Sequence, residues 1–210
     1  MVEYIVTDIK ELTSRRRLVC VNYESAFALY PGEIRRFNIK KDSAISEEDY
    51  IEITEGLLVK RSRIRAMNLL KSKDYTVFEL SKKLKESYYP DTAIKAAIDY
   101  VSSYGYLDDC RYVQNYISFK SGSKSRRQIE MFLHNKGIDT DLIKTECDLF
   151  YLEHSDAEIK QAVRYLEKKC GTKDVEHMDY SDKRKLCAYL YRHGFSMDIV
   201  RKALDIVVNQ

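Results

Sequence analysis

Apolar positions change their rhythm once along this chain, near residue 46. Before it, Tyr4-Ile5-Val6-Thr7-Asp8-Ile9, Leu18-Val19-Cys20-Val21-Asn22-Tyr23 and Phe27-Ala28-Leu29-Tyr30 are short runs rich in β-branched and aromatic residues. Polar residues 13–17 and the turn-like Glu24-Ser25 separate them, which predicts a three-stranded meander. A sheet that small needs something on one face. Pro31-Gly32-Glu33 starts a short helix that brings Ile34, Phe37 and Ile39 as its cover. From Ser46 onward the spacing is helical. Ser46-x-x-Asp49, Thr76-x-x-Glu79 and Ser155-x-x-Glu158 each have the form of a capping box ahead of an amphipathic segment.

Within the helical part the pattern repeats. Leu80, Leu84 and Tyr88-Tyr89 align without gaps with Ile129, Leu133 and Gly137-Ile138 at an offset of 49, and with Leu186, Leu190 and Gly194-Phe195 at an offset of 106. The same offsets carry Ile94, Ala97, Ile98 and Val101 onto Ile143, Glu146, Cys147 and Phe150, and onto Val200, Ala203, Leu204 and Val207. Only Glu146 breaks the apolar set. Each unit therefore has a helix with apolar positions at i and i+4, a tight turn where Gly137 and Gly194 can take left-handed angles, and a helix with an i, i+3, i+4, i+7 stripe. Ile64, Met67 and Leu70 correspond to Val113, Tyr116 and Phe119 at the offset of 49, which adds a leading helix.

The expected fold is mainly α: tandem three-helix repeats in three copies, preceded by a small N-terminal β-meander and helix. The expected divisions are 1–57 for the strand-containing extension, 58–108, 109–155 and 156–210 for the repeats, with an inserted loop at about 170–181 in the third. Stacked repeats contact only their neighbours, so an elongated or curved, monomeric molecule is expected.

Composition agrees with this picture and narrows it. Seven Gly and two Pro in 210 residues suit long helices joined by short loops rather than a barrel or sandwich. Trp is absent and Tyr occurs 17 times, placing many half-buried amphipathic rings at boundaries. A net charge of +3 is too small to coat nucleic acid by bulk charge, so any basic patch is local. The four segments hold 8 basic against 11 acidic residues, 10 against 6, 7 against 7 and 11 against 9, which makes the first repeat the most basic. No signal-like start and no long uncharged apolar run point to a cytoplasmic protein without membrane contact. The five cysteines, Cys20, Cys110, Cys147, Cys170 and Cys187, form no CxxC pair and predict neither disulfide nor zinc.

The run Gly105-Tyr106-Leu107-Asp108-Asp109, followed by Arg111-Tyr112, resembles the signature between first and second repeats of the RecX family of regulatory proteins. Lys120, Gly122, Arg126-Arg127-x-Ile129, Leu133 and Lys136-Gly137-Ile138 are similar to that family's second-repeat pattern, and the likeness covers roughly residues 60–208. In the first repeat, Tyr88-Tyr89-Pro90 stands where a glycine turn is usual. The resemblance implies a non-enzymatic modulator that binds the RecA recombinase and the RecA filament on single-stranded DNA, in its helical groove, and limits filament growth and ATP-dependent activity. That would place it in homologous recombination, DNA repair and the SOS response. A tandem helical scaffold, with a surface that lengthens with repeat number, suits contact with several subunits of a polymer.

Catalytic chemistry has no candidate. Asp108 and Asp109 are adjacent and lack a second acidic cluster, so the five-residue run fits a helix joint: Gly105 ends one helix, Leu107 is buried, and Asp108 caps the next. His134, His154, His177 and His193 lack metal-ligand spacing, and Ser121-Gly122-Ser123-Lys124 lacks the glycines that cradle phosphates. No cofactor is expected. Candidate filament or DNA contacts are Lys60, Arg61, Arg63 and Arg65, Lys82 and Lys83 with Lys85, Lys124, Arg126 and Arg127, and Lys183, Arg184 and Lys185. Each cluster also fits the solvated side of an amphipathic helix. Recurrence favours a binding role, since 126 and 127 map onto 183 and 184, although the first repeat has Val77-Phe78 there. Arg126, Arg127, Lys183 and Arg184 are all expected on solvated faces. The alternative is a stand-alone helical regulator that binds single- or double-stranded DNA directly, with one helix in the major groove. Helices over 93–102, 142–150 and 199–208 expose few base-reading side chains for that role.

Overall fold

The computed structural model describes residues 3–171 and 179–208. It divides into two compact units at Asp108 and Asp109. In the first, strands β1 (Tyr4–Thr13), β2 (Arg16–Val21), β3 (Glu24–Leu29) and β4 (Ala44–Ile45) form one antiparallel sheet in the order β3-β2-β1-β4. The β2–β3 turn lies two residues before its expected place at Glu24-Ser25. Glu24 pairs with Val21 and Ser25 with Cys20, so Asn22 and Tyr23 make the turn, with φ of 51° and 68°. Positive φ at both central residues gives the twist that hairpin strands need. Asn22 tolerates it because its side chain bonds to the end of β1, accepting from the Ile5 N–H (3.0 Å) and donating to the Glu3 carbonyl (2.9 Å).

Helix α1 (Pro31–Arg36) follows, and Phe37 and Ile39, just beyond its end, enter the core with Val6, Val19, Phe27 and Leu29. Ser46 then caps α2 (Glu47–Ile51), accepting from the Asp49 N–H at 3.1 Å. A π-helical stretch, Glu52–Leu57, connects α2 to α3 (Leu58–Leu70) without a break, so the junction expected at 57 and 58 falls inside a continuous helix. The sheet and the first three-helix module share one core, running from Val6 through Ile53 and Leu84 to Leu107.

The modules are α3, α4 (Val77–Lys85) and α5 (Asp91–Ser103); α6 (Asp109–Lys120), α7 (Arg126–Asn135) and α8 (Thr140–Glu153); α9 (Ala157–Cys170), α10 (Tyr180–Arg192) and α11 (Met197–Val208). Second helices begin at side-chain caps: Thr76, Ser125 and Asp179 each accept from a backbone N–H in the first turn. Ser155 caps nothing. The residue before α9 is Asp156, and it makes no side-chain cap bond. Of the loop expected at about 170–181, residues 172–178 lie outside the described residues, and Tyr180 and Ser181 already belong to α10.

The turn after each second helix is built alike. Tyr88, Gly137 and Gly194 have φ of 61°, 72° and 92°. Their N–H groups donate to the carbonyls of Lys85, His134 and Tyr191, and those of Tyr89, Ile138 and Phe195 reach back to Leu84, Leu133 and Leu190. That pair of bonds satisfies the helix's last carbonyls, and the apolar residue after the turn packs on the buried leucine. All six of these apolar residues are buried.

The leading helices do not follow the offset of 49. Ile64 and Phe119 are 63% and 76% exposed, and the buried pairs are Ser62 with Ala66, Val113 with Ile117, and Ala162 with Leu166. The offset from first to second module is thus 51 in this helix. A serine can occupy the core position because its hydroxyl donates to the Ala93 carbonyl at 2.8 Å. Glu146, the break in the apolar stripe, is matched from α6: Gln114 donates to it at 2.9 Å and the Cys110 thiol at 3.3 Å.

Candidate functional site

The run from Gly105 to Asp109 connects α5 to α6. Gly105, at φ 68°, donates to the Ser102 carbonyl (2.8 Å) and Tyr106 to that of Val101 (3.0 Å), which closes α5. Leu107 is buried and Asp109 opens α6, leaving Tyr106 and Asp108 exposed. No group of three or more His, Cys, Asp or Glu among the described residues is placed to hold a metal ion.

The basic candidates separate into tied and untied groups. Arg61 is structural: it pairs with Glu33, donates to the Ala28 carbonyl (3.3 Å) and lies 4.6 Å from the Tyr30 ring centroid, pinning α3 to the sheet and α1. Lys83 pairs with Glu86 at 2.7 Å, Lys85 with Asp91 at 3.5 Å and Lys185 with Asp182 at 2.8 Å, surface pairs of small energetic weight. Lys124 is half-buried with its ammonium 5.7 Å from the Phe132 ring centroid, and Lys183 is half-buried and partnered. Arg63 lies against the Tyr100 ring. Lys60, Arg65, Lys82, Arg127 and Arg184 are exposed with no carboxylate paired to them among the described residues. Lys82 borders a groove of about 650 Å³ whose floor is Phe78, Tyr88 and Ile94.

Arg126 departs from its expected solvated position. Its guanidinium bonds Glu130 at 2.7 Å and Asp148 at 2.6 Å and lies 5.7 Å from the Tyr151 ring centroid, bridging α7 to α8. The two carboxylates hold its proton more tightly than in free arginine. Around it, burial pushes the Cys147 thiol up to about 12, raises the Tyr151 hydroxyl, and raises the Glu158 carboxyl against the opposing pull of Arg126. Arg126 is therefore a packing charge. The i, i+4 spacing to Glu130 was visible in the sequence, but the contact with Asp148 requires the folded module.

Module contacts continue from the second to the third. The Ser125 hydroxyl, buried, caps α7 and donates to the His193 carbonyl at 2.7 Å, while Tyr165 donates to the Ser123 carbonyl at 3.2 Å. A Cβ on Gly194 would come within 2.9 Å of the Ser125 Oγ and 3.0 Å of the Arg127 Cβ. This seam places Arg127, on α7, beside the turn that follows α10.

Outward faces of the third helices carry acids among their exposed residues: Asp91 and Asp99 on α5, Asp141 and Asp148 on α8, Asp198 and Asp205 on α11. Asp91 and Asp148 are paired with Lys85 and Arg126, and Lys95, Lys144, Arg201 and Lys202 are exposed on the same helices, so these faces carry mixed charge. No helix of the described residues is long and apolar enough to cross a membrane.

Three helical triplets that follow a small sheet along the chain define a protein of tandem three-helix modules. Residues 63–100 match the family model described as RecX, first three-helix domain, and residues 156–204 that described as RecX, third three-helix domain. The regulatory protein RecX of Legionella pneumophila (strain Corby) is 31% identical over 143 residues, which cover 68% of this chain and 91% of that protein. That of Bacillus velezensis is 28% identical over 188 residues, covering 86% of this chain and 68% of the relative. A crystal structure of regulatory protein RecX shares the fold, with a TM-score of 0.63 at 19% identity over 97% of this chain and 100% of that one. The chain belongs to the RecX family of regulatory proteins.

Proposed function

We propose that this chain binds the RecA recombinase and its filament on single-stranded DNA, and restrains filament growth and ATP hydrolysis without catalysing a reaction itself. In this reading it acts in the cytoplasm as a regulator of homologous recombination, DNA repair and the SOS response. Family membership supports the class of partner. The observation that carries the surface is the pair Arg127 and Arg184, at the same register in α7 and α10, both exposed and without a paired carboxylate among the described residues. Cations recurring with the module suit a partner that is itself a repeating polyanion. A regulatory rather than catalytic role also fits the thiol of Cys147, which burial holds near 12, far from the range of a nucleophile.

The test measures ATP hydrolysis by RecA on single-stranded DNA with and without the full chain, together with co-sedimentation of the filament. Wild type should lower hydrolysis and co-sediment, and Arg127→Glu with Arg184→Glu should weaken binding about tenfold or more at low salt. Stability should change by less than about 0.5 kcal/mol, since both side chains are exposed. Undiminished hydrolysis with wild type, or equal binding by a folded double variant, overturns the reading.

A further inference from the structure

The first module carries an aromatic cluster at its surface, of which Tyr100 packs on the core while Tyr104 and Tyr106 do not. Tyr100, on α5, lies with its ring centroid 5.0 Å from that of Tyr104 and its plane tilted by 60°, and Tyr104 lies 6.2 Å from Tyr106 with planes 19° apart. Tyr104 and Tyr106 are 62% and 57% exposed. The local chain explains the stack. Tyr100 and Tyr104 share a helix face at i, i+4, and the left-handed turn at Gly105 folds the chain back so that Tyr106 returns beside Tyr104 before Leu107 enters the core.

One end of the stack is cationic. The Arg63 guanidinium carbon is 5.1 Å from the Tyr100 ring centroid, and among the described residues its solvent-screened Nε has no hydrogen-bond partner and no carboxylate pairs with it. Arg63 belongs to α3, whose sequence LVKRSRIRAMNLL holds four basic residues and no acid. Arg61 is neutralised by Glu33, but Lys60, one turn before Arg63 on the same helix face, is exposed with no carboxylate paired to it among the described residues.

Flat exposed π-faces beside uncompensated cations match one ligand chemistry in particular. Unpaired bases stack on aromatic rings while their phosphates meet Lys and Arg; a duplex hides its base faces, and an acidic peptide would use the cations but leave the rings empty. We propose that Tyr104 and Tyr106, backed by Tyr100, form a stacking platform for the bases of single-stranded nucleic acid, with Arg63 and Lys60 meeting the adjoining phosphates. This deepens the proposed function, since it rests on the DNA contact within that reading and names the residues and the strand state that the contact takes.

The experiment uses the full chain and three labelled probes: an oligothymidylate, an abasic oligomer with the same number of phosphates, and a duplex. Fluorescence anisotropy should show oligothymidylate bound at least tenfold more tightly than the abasic oligomer. Because the chain has no Trp, tyrosine emission should be quenched by the oligothymidylate and not by the abasic oligomer. Tyr104→Ser with Tyr106→Ser should abolish the preference while retaining native circular dichroism, Tyr104→Phe with Tyr106→Phe should keep it, and Lys60→Gln should weaken both single-stranded probes alike. Equal binding of oligothymidylate and abasic oligomer by wild type, stronger binding of the duplex, or an unchanged preference in the folded Ser variant overturns the proposal. If wild type restrains RecA but prefers no base, the platform falls and the proposed function stands. If it prefers oligothymidylate yet leaves RecA's ATP hydrolysis unchanged, the reverse holds.

Discussion

The turn between second and third helices follows one hydrogen-bond pattern in all three modules, yet a tyrosine makes it in the first and glycine in the other two. A residue with a Cβ at positive φ costs roughly 1–2 kcal/mol, so the difference needs a local reason. In the first module the turn is buttressed by the sheet: Ala28 donates to the Tyr88 carbonyl at 3.3 Å, and Arg16 donates to the carbonyl of Ser87. The Tyr88 ring also lines the groove with Phe78 and Ile94. In the third module the Ser125 hydroxyl supports the turn by donating to the equivalent carbonyl, that of His193, at 2.7 Å, and the space a Cβ would need is taken by Ser125 and Arg127 from the second module. One backbone geometry thus admits a large side chain where the turn faces its own unit's sheet and excludes even a methyl where another module docks.

Substitution of the buried leucine under these turns carries the largest expected effect. Leu84→Asp and Leu133→Asp each bury an unpaired carboxylate at a fully buried position and should cost more than about 4 kcal/mol in urea unfolding followed by circular dichroism. A large difference between the two would break the equivalence of the modules. The turns themselves come next. Gly194→Ala adds the steric conflict to the backbone cost and should lose about 2 kcal/mol or more, whereas Gly105→Ala, with open space around its Cβ, should lose only about 1 kcal/mol. Tyr88→Gly relieves strain but gives up packing, and its Tm should move less than that of Gly194→Ala.

The caps sharpen the same contrast. Thr76→Ala removes an N-cap and should cost about 1 kcal/mol. Ser125→Ala removes an N-cap and also the bond to the His193 carbonyl, so it should cost about 2 kcal/mol by the same measurement. The smallest effect concerns pH. Burial raises the Glu158 carboxyl above its ordinary 4.5, so the folded chain holds this proton more tightly than the unfolded chain. Stability from this group is therefore present at low pH and declines as pH rises from about 4.5 through the raised folded value. Glu158→Gln should match wild type at pH about 4 and exceed it slightly near neutrality; a gap that shrinks with rising pH would contradict the assignment.

How far the sequence carried depends on the range of the interactions concerned. The helical repeat, the buried leucine ladder, the caps at Ser46 and Thr76 and the left-handed glycines were legible because each depends on residues within one or two turns. The leading helix was misaligned because its apolar residues do not mark its inner face: Ile64 and Phe119 point outward and Ser62 points in, satisfied by a carbonyl from α5. Among the candidate cations, charge alone could not distinguish Arg126, held by Glu130 and Asp148, from Arg127, its exposed neighbour.

What this sequence by itself determined is periodic and local: helix starts and ends, which face of the second and third helices is apolar, and the family to which the motifs point. The tertiary structure alone decided which charges are neutralised, that the strands and the first module share a core, and that Tyr104 and Tyr106 meet at its edge beside Tyr100. The physical reason is that propensity and amphipathic spacing act over a few residues, whereas an ion pair, a shared core or a ring stack exists only once the chain brings separated segments within a few ångströms of each other.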